Sequence, residues 1–174
     1  MNLLKGKVAM VTGGTRGIGY AVVKKFLENG AAVALCGSRK DTVDKALEKL
    51  AQEMPGSQVI GLWPDLQNPE EVAAAMEQVV EKFGKLDVLV NNFGTSNPVK
   101  DLDFANTDPQ VFLDMVIMNL RSVFMASQAA AKQGGGSSIN ISSVGGQVPD
   151  ISQVAYGTSK AAINHLTRLI AVQE

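Results

Sequence analysis

A doubly wound α/β domain built on a parallel sheet is the fold predicted by this sequence of 174 residues. Three observations predict it. Short, almost wholly apolar runs alternate with longer stretches of helical periodicity, the pattern of a sheet covered on both faces by helices. A glycine-rich loop stands between the first apolar run and the first helical stretch. The composition, 45% hydrophobic and 19% charged with 17 Gly in no fixed period, is that of a folded globular chain. The length fits one domain over residues 1–174, large enough to bury roughly 70% of the surface its unfolded chain exposes.

The elements follow in order. Residues 8–11 form the first expected strand, and further buried strands are expected at 31–36, 58–63, 87–90 and 138–142. Each is a short run bounded by Gly, Pro, Asn or Asp. Between them, 17–28 carries Ile18, Ala21, Val22 and Phe26 at helical spacing, and 41–52 carries Val43, Leu47 and Leu50. The stretch 69–83 carries Val72, Met76, Val79 and Phe83; Asn68 can cap it, with Pro69 at the first helical position. Residues 115–131 hold one charge, Arg121, and are apolar around most of a helical circumference. Such a helix is buried on more than one side, as a core helix, a subunit interface or both. Trp63 and Phe83 are expected in the core, Cys36 as a small hydrophobe ending a buried strand, and His165 at the surface or an interface. No repeat, low-complexity segment or domain linker interrupts the pattern.

Charge and rare residues exclude several function classes. Sixteen Lys plus Arg stand against 17 Asp plus Glu, a net charge of −1, which argues against nucleic acid or an anionic membrane as the main partner. The basic residues number 11 before Leu86 and 5 after it, so there is no basic tail. One cysteine and one histidine exclude an internal disulfide framework, a multi-cysteine metal site and a histidine cluster, so no metal is expected. The N-terminal Met-Asn-Leu-Leu-Lys-Gly-Lys leads into an apolar run too short for a signal peptide. No stretch reaches the ~18 apolar residues of a membrane span. A cytoplasmic protein with a reduced thiol is expected.

The loop Thr12-Gly13-Gly14-Thr15-Arg16-Gly17-Ile18-Gly19 ends the first strand and opens the first helix. Glycines there let the backbone turn tightly and approach a pyrophosphate, which would sit on free N–H groups at the helix N-terminus. Strand, loop and helix in this order predict a dinucleotide site. The spacing is Gly-x-x-x-Gly-x-Gly, from Gly13, Gly17 and Gly19, and no Gly-Lys-Ser/Thr of a P-loop is present.

This spacing resembles that of the short-chain dehydrogenase/reductase family, and the rest of the chain agrees. Asn91-Asn92-Phe93-Gly94 is similar to the family's Asn-Asn-Ala-Gly, and Asp65, beside Leu66, matches its adenine-side acid. Asn119, Ser143 and the Tyr156-x-x-x-Lys160 pair fall in family order. The resemblance covers the whole chain. It implies a Rossmann sheet of order 3-2-1-4-5 with a nicotinamide cofactor across the carboxyl ends of the strands.

Tyr156 and Lys160 are four residues apart, on one helix face. An unperturbed tyrosine, with a pKa of about 10, is a poor base near neutrality, and a nearby ammonium favours its phenolate. The resemblance implies that Tyr156 exchanges a proton with the substrate oxygen while Ser143 hydrogen-bonds it. It implies that Lys160 also holds the nicotinamide ribose, and that Asn119 anchors a water relaying protons to Lys160. Ser142 is the rival serine, but adjacent strand residues face opposite ways, and the family position matches Ser143. The expected cofactor residues are Gly13, Thr15, Arg16, Gly17, Ile18, Gly19, Ser38, Arg39, Asp65, Leu66, Asn92 and Gly94, with Tyr156 and Lys160. An acid ending the second strand would bind the adenosine 2′-OH and repel a 2′-phosphate. Here Gly37-Ser38-Arg39-Lys40 carries none, and Arg39, Arg16 and Ser38 can meet a phosphate. NADP is therefore expected, with NAD as the alternative.

Three features depart from the family pattern. Phe93 replaces Ala, placing a ring near the adenosine ribose. The Asn119-to-Ser143 spacing is shorter by about one helical turn, compressed around 129–133. The chain ends at Glu174 inside the helix carrying Tyr156, whereas family members run to about 250 residues, a common single-domain size. It is expected to be incomplete at its C-terminus, without the family's last two strands.

Residues 148–152 and 161–164, with Phe93, are most similar to bacterial 7α-hydroxysteroid dehydrogenases, which act on bile acids. A small-molecule secondary alcohol or ketone, such as a hydroxysteroid, is thus the expected substrate class. The alternatives are a 3-oxoacyl-carrier-protein reductase and an inactive dinucleotide-binding fragment. Family members pair the two long helices with their copies across a two-fold axis, so a homodimer or homotetramer is expected.

Overall fold

The computed structural model describes residues 2–134 and 136–173. Five strands, β1 Val8–Thr12, β2 Ala32–Cys36, β3 Val59–Leu62, β4 Val88–Asn91 and β5 Ser137–Asn140, alternate with α1 Gly17–Glu28, α2 Lys40–Glu53, α3 Pro69–Phe83, α4 Pro109–Lys132 and α5 Val154–Gln173. The sheet order is β3-β2-β1-β4-β5, parallel throughout, as expected. Met10 in β1 is flanked by Ala34 of β2 and Leu89 of β4.

Strand side chains alternate between faces, and the core divides accordingly. Met10, Ala34, Cys36 and Leu89 pack with Val72, Met76 and Val79 of α3 and Met125 and Ala126 of α4. Val11, Val33, Leu35 and Val90 pack on the other face with Val23 and Leu27 of α1 and Val43 and Leu50 of α2. Both faces of β1 and β2 are buried, which is why these runs are continuously apolar.

Caps set the helix starts. Asn68 Oδ1 accepts from the N–H groups of Glu70 and Glu71 at 3.0 and 3.3 Å, with Pro69 at the first position. Asp108 repeats the device for α4, accepting from Gln110 and Val111 at 2.8 and 3.3 Å, with Pro109 next. That pair moves the start of α4 well upstream of the expected residue 115. The helix continues unbroken through Lys132, across the stretch expected to be compressed.

Two expectations are corrected. β5 reads as buried in the sequence, but Ser137, Ser138 and Ile139 are exposed; among the described residues this strand stands at the sheet edge and pairs only with β4. Trp63 is not in the core: it is 47% exposed, beyond the end of β3, with the Lys40 ammonium 5.4 Å from its ring centroid. Phe83 does pack against the core, and Cys36 is buried. Among the described residues no helix is long and apolar enough to cross a membrane. No group of three potential metal ligands occurs among them either.

Candidate active site

The carboxyl ends of β1, β2 and β4 open onto a cleft of about 740 Å³. Its walls include Gly13, Thr15, Arg16, Gly17 and Ile18 from the loop after β1, Ser38 after β2, and Asp65 and Leu66 after β3. Asn92, Phe93 and Gly94 after β4 and Met118 of α4 stand on the same wall. Gly13 and Gly17 have φ of +63° and +55°, the left-handed region that glycine enters at little cost. Gly19 does a different job: it is not one of the wall residues, and a Cβ there would overlap the Gly13 carbonyl oxygen. It lets α1 pack against the loop.

Asn92 fixes that loop from the neighbouring strand. Its Nδ2 donates to the carbonyls of Thr12 and Gly13 at 3.2 and 2.9 Å. Thr12 Oγ1, buried at the sheet end, accepts from the N–H groups of Asn92 and Phe93 at 3.1 and 3.0 Å. The role of Thr12 was not legible in the sequence, because it depends on β1 and β4 being neighbours. Asp65 Oδ1 accepts from the Gln67 N–H at 2.8 Å, and the Asp65 N–H donates to Glu71 at 2.8 Å, shaping the turn after β3. Arg39 lies outside the cleft walls; its Nε pairs with Asp41 at 3.2 Å, both side chains exposed.

A second cleft, about 640 Å³, is walled by Ser143, Val144, Gly145 and Val148 on one side and by Gln153, Val154, Tyr156 and Gly157 on another. Residues Val144–Gly146 form a short 3₁₀ turn, capped when Ser143 Oγ accepts from the Gly145 N–H at 3.2 Å. Glycines let this turn lie against α5. A Cβ on Gly146 would sit 2.7 Å from the Lys160 carbonyl carbon, and one on Gly157 would sit 3.0 Å from the Gly145 oxygen. That close approach brings Ser143 and Tyr156 to one cleft. Ser142 is turned away, donating its hydroxyl to the Lys160 carbonyl at 3.2 Å.

Lys160 is 3% exposed. Its Nζ lies 5.7 Å from the Tyr156 ring centroid and donates to the Ile141 carbonyl at 2.9 Å. Burial pulls the lysine pKa below its ordinary value, since desolvation disfavours the charged form. Gly94 makes room for the ammonium: a Cβ there would stand 3.1 Å from Nζ. Lys160 thus reaches the residue that ends the wall of the first cleft.

Asn119, fully buried in α4, ties this region together. Its Oδ1 accepts from the Thr95 N–H at 2.8 Å, and its Nδ2 donates to the Thr95 carbonyl and to Ser159 Oγ, both at 3.0 Å. A second chain, buried at its start and half-buried at its end, runs from Asn91 Nδ2 to Ser127 Oγ and Asn140 Oδ1 at 3.0 and 2.8 Å, and from Asn140 Nδ2 to Thr167 Oγ1 at 2.9 Å. The signal for it is the amide that ends the apolar strand β4, where a buried polar group demands partners.

The positive-φ glycines and the cleft lined by loop backbone fit a dinucleotide: a Cβ at Gly13 would crowd Asn92 and Phe93 on the cleft wall, and one at Gly94 would press on Lys160 Nζ. The comparisons agree with the geometry. The model of the short chain dehydrogenase family matches residues 7–174. The chain is 49% identical over 173 residues to the 3alpha-hydroxysteroid dehydrogenase of Mediterraneibacter gnavus, covering 97% of this chain and 68% of that protein. It is 37% identical over 177 residues to the 7alpha-hydroxysteroid dehydrogenase of Clostridium sardiniense, covering 99% and 67%. The crystal structure of a short chain dehydrogenase from Mycobacterium smegmatis superposes with a TM-score of 0.92 at 31% identity, over 99% of this chain and 73% of the other. The chain therefore spans about two thirds of the length of these hydroxysteroid dehydrogenases. On a match that runs from the first strand through the helix of Tyr156 and Lys160, this chain belongs to the short-chain dehydrogenase family of oxidoreductases.

Proposed function

We propose that this protein is an NADP(H)-dependent oxidoreductase that interconverts a secondary alcohol and a ketone on a hydroxysteroid such as a bile acid. The observation that carries the reading is that Ser143 and Tyr156 wall one cleft while the buried Lys160 ammonium lies behind the Tyr156 ring.

In this reading Gly13, Thr15, Arg16, Gly17 and Ile18 hold the pyrophosphate, Asp65 and Leu66 the adenine side, and Asn92, Gly94 and Lys160 the nicotinamide side. Gly19 keeps the loop in shape. The nicotinamide, when bound, supplies or accepts the hydride. Tyr156 gives its phenolic proton to the substrate oxygen during reduction and takes one during oxidation. The Ser143 Oγ accepts one bond from Gly145 and keeps its own proton to donate to that same oxygen. Lys160, its proton loosened by burial, serves as the next group in the proton path, and Asn119 holds the segment in front of it.

Ser38 and Arg16 on the cleft wall and the absence of an acid in the Gly37–Lys40 stretch after β2 support NADP over NAD. Exposed Val144 and Val148 make one wall of the second cleft apolar, and Ile151 is exposed in the adjoining loop; such a surface suits a steroid nucleus. The names of the relatives point the same way. A ketoacyl reductase reading has support in the 31% identity to granaticin polyketide synthase putative ketoacyl reductase 1 of Streptomyces violaceoruber. We place the subunit in a two-fold homodimer formed through α4 and α5, or a tetramer containing that dimer.

The test follows NADPH formation with 3α- and 7α-hydroxylated bile acids and a 3-hydroxyacyl thioester. Turnover of a bile acid supports the reading and reports the hydroxyl position. Turnover of the thioester alone favours the ketoacyl reductase. Nucleotide binding without hydride transfer in a single turnover leaves a dinucleotide-binding protein.

A further inference from the structure

Among the described residues, no side chain adjacent in sequence caps the helix that carries Tyr156 and Lys160. Gln153, the residue before it, sits at φ 58°, in the left-handed region that residues with side chains use sparingly. Its Oε1 accepts from Ser96 Oγ at 2.6 Å instead of turning back onto the helix. The first N–H groups of a helix have no partner within it, so these must be met from elsewhere. The N–H groups of Ala155 and Tyr156 donate to the two carboxylate oxygens of Asp101, at 2.9 and 2.8 Å, and the Val154 N–H donates to the Leu102 carbonyl at 3.2 Å. Asp101 is 0% exposed and 55 residues upstream of Tyr156.

We infer that Asp101 is a positioning residue for proton transfer: its buried carboxylate fixes the first turn of α5 and, through it, the place of the Tyr156 phenol opposite Ser143. Two oxygens binding two successive N–H groups fix both the position and the rotation of that turn, which one bond would not. Asp101 belongs to the segment whose other end, Thr95, is held on both its N–H and its carbonyl by Asn119. The segment leaving the wall of the first cleft at Gly94 is therefore fastened to α4 at one end and to the start of α5 at the other. The carboxylate also places negative charge at a helix N-terminus, where it is favoured. The phenol lies at the far end of its side chain, so a small rotation of the first turn is magnified there. Displacement of a reacting group by about 1 Å can cost a hundredfold in rate. Two other charged groups share this region: Lys160, one turn along α5, and Asp150 on the wall of the second cleft.

This role rests on the oxidoreductase reading, but its test does not need turnover. The chain has two tyrosines, Tyr20 and Tyr156, so ring-carbon labelling of tyrosine yields two resonances, assigned by Tyr156→Phe. Asp101→Asn keeps the shape, keeps one acceptor and turns an amide N–H₂ toward the other donor. The expected result is a displaced or broadened Tyr156 ring resonance with that of Tyr20 unmoved. Turnover should fall at least tenfold in kcat with NADPH affinity within twofold. A lowered melting temperature with the Tyr156 resonance in place would overturn the inference, because a merely structural aspartate gives that pattern. If Asp101→Asn does not fold, Asp101→Glu, which keeps the carboxylate and displaces it by one methylene, decides. In the folded Glu variant the Tyr156 ring resonance must move, and a resonance left in place overturns the inference. A chain that never turns over defeats the proposed reaction, while the resonances still decide whether Asp101 positions Tyr156.

Discussion

Lys160 Nζ donates to the backbone carbonyl of Ile141 at 2.9 Å, joining the middle of α5 to the segment that leaves β5 toward Ser143. One bond thus ties the buried ammonium to the segment that carries Ser143. The serine and Tyr156 face the cleft while the lysine stays behind them, so the three side chains occupy distinct stations.

Tyr156→Phe should abolish turnover, a loss of at least a thousandfold in kcat, while nucleotide affinity stays within twofold, since it removes a proton and little surface. Ser143→Ala should cost less, about a hundredfold, because it removes a hydrogen bond rather than the acid. Steady-state kinetics with nucleotide titration check both. Turnover in Tyr156→Phe within tenfold of the parent would assign the acid role to another group.

NADPH should bind at least tenfold tighter than NADH, about 1.4 kcal/mol. In the structure Arg39 pairs with Asp41, but both side chains are exposed, and such a pair is worth little. A 2′-phosphate can draw the guanidinium away. Arg39→Ala should narrow the preference, with Arg16 and Ser38 keeping the remainder, and Asp41→Ala should preserve or increase it. Fluorescence titration with each nucleotide reads the ratios, and an unchanged ratio in Arg39→Ala would remove Arg39 from the site.

Gly19→Ala should be far more damaging than Gly17→Ala. The added methyl at Gly19 meets the Gly13 carbonyl and lies 2.5 Å from Asn92 Nδ2, so the loop and its staple must move. At Gly17 the space is open and only the φ of +55° opposes a side chain. Overpacking of this kind costs about 1–3 kcal/mol, and nucleotide affinity should fall at least a hundredfold. Calorimetry and thermal melting with and without NADPH separate the two effects.

Cys36 predicts an alkaline limit. Burial pushes its thiol up to about 12 from an ordinary value near 9, so the unfolded chain loses this proton at a lower pH than the folded chain does. The folded state then binds more protons, and stability falls as pH rises through that window. Between pH 9 and about 10.5 the loss is about 2 kcal/mol, or about 4–8 °C in Tm for a chain of this size. Cys36→Ala should flatten that part of the Tm-against-pH curve relative to the parent. Lys160, whose pKa is lowered, acts in the opposite sense and is unchanged between the two proteins.

Phe124, on α4, is 47% exposed although the helix around it is apolar. Leu169 on the adjacent α5 is also exposed. In the proposed two-fold dimer this surface is covered, so Phe124→Asp should leave an unpaired buried charge and dissociate it. Sedimentation at micromolar concentration should show a dimer for the parent and a monomer for the variant. A well-folded monomer in the parent would refute the interface.

The amino-acid sequence by itself determined the alternation of strands and helices, because periodicity, caps and turn glycines act over a few residues. The bounds of α1 and α3, the cap at Asn68 and the loop from Gly13 to Gly19 could all be read locally. So could the placement of Tyr156 and Lys160 on one helix. Tertiary structure alone decided what depends on distant segments meeting. It put Asp101 on the N–H groups of Ala155 and Tyr156, and the Ser142 hydroxyl on the back of α5 rather than in the cleft. It also left Trp63 exposed and β5 uncovered at the sheet edge, although both read as buried in the sequence. Burial is a property of what packs opposite a residue, and a hydrophobic run records only that something can.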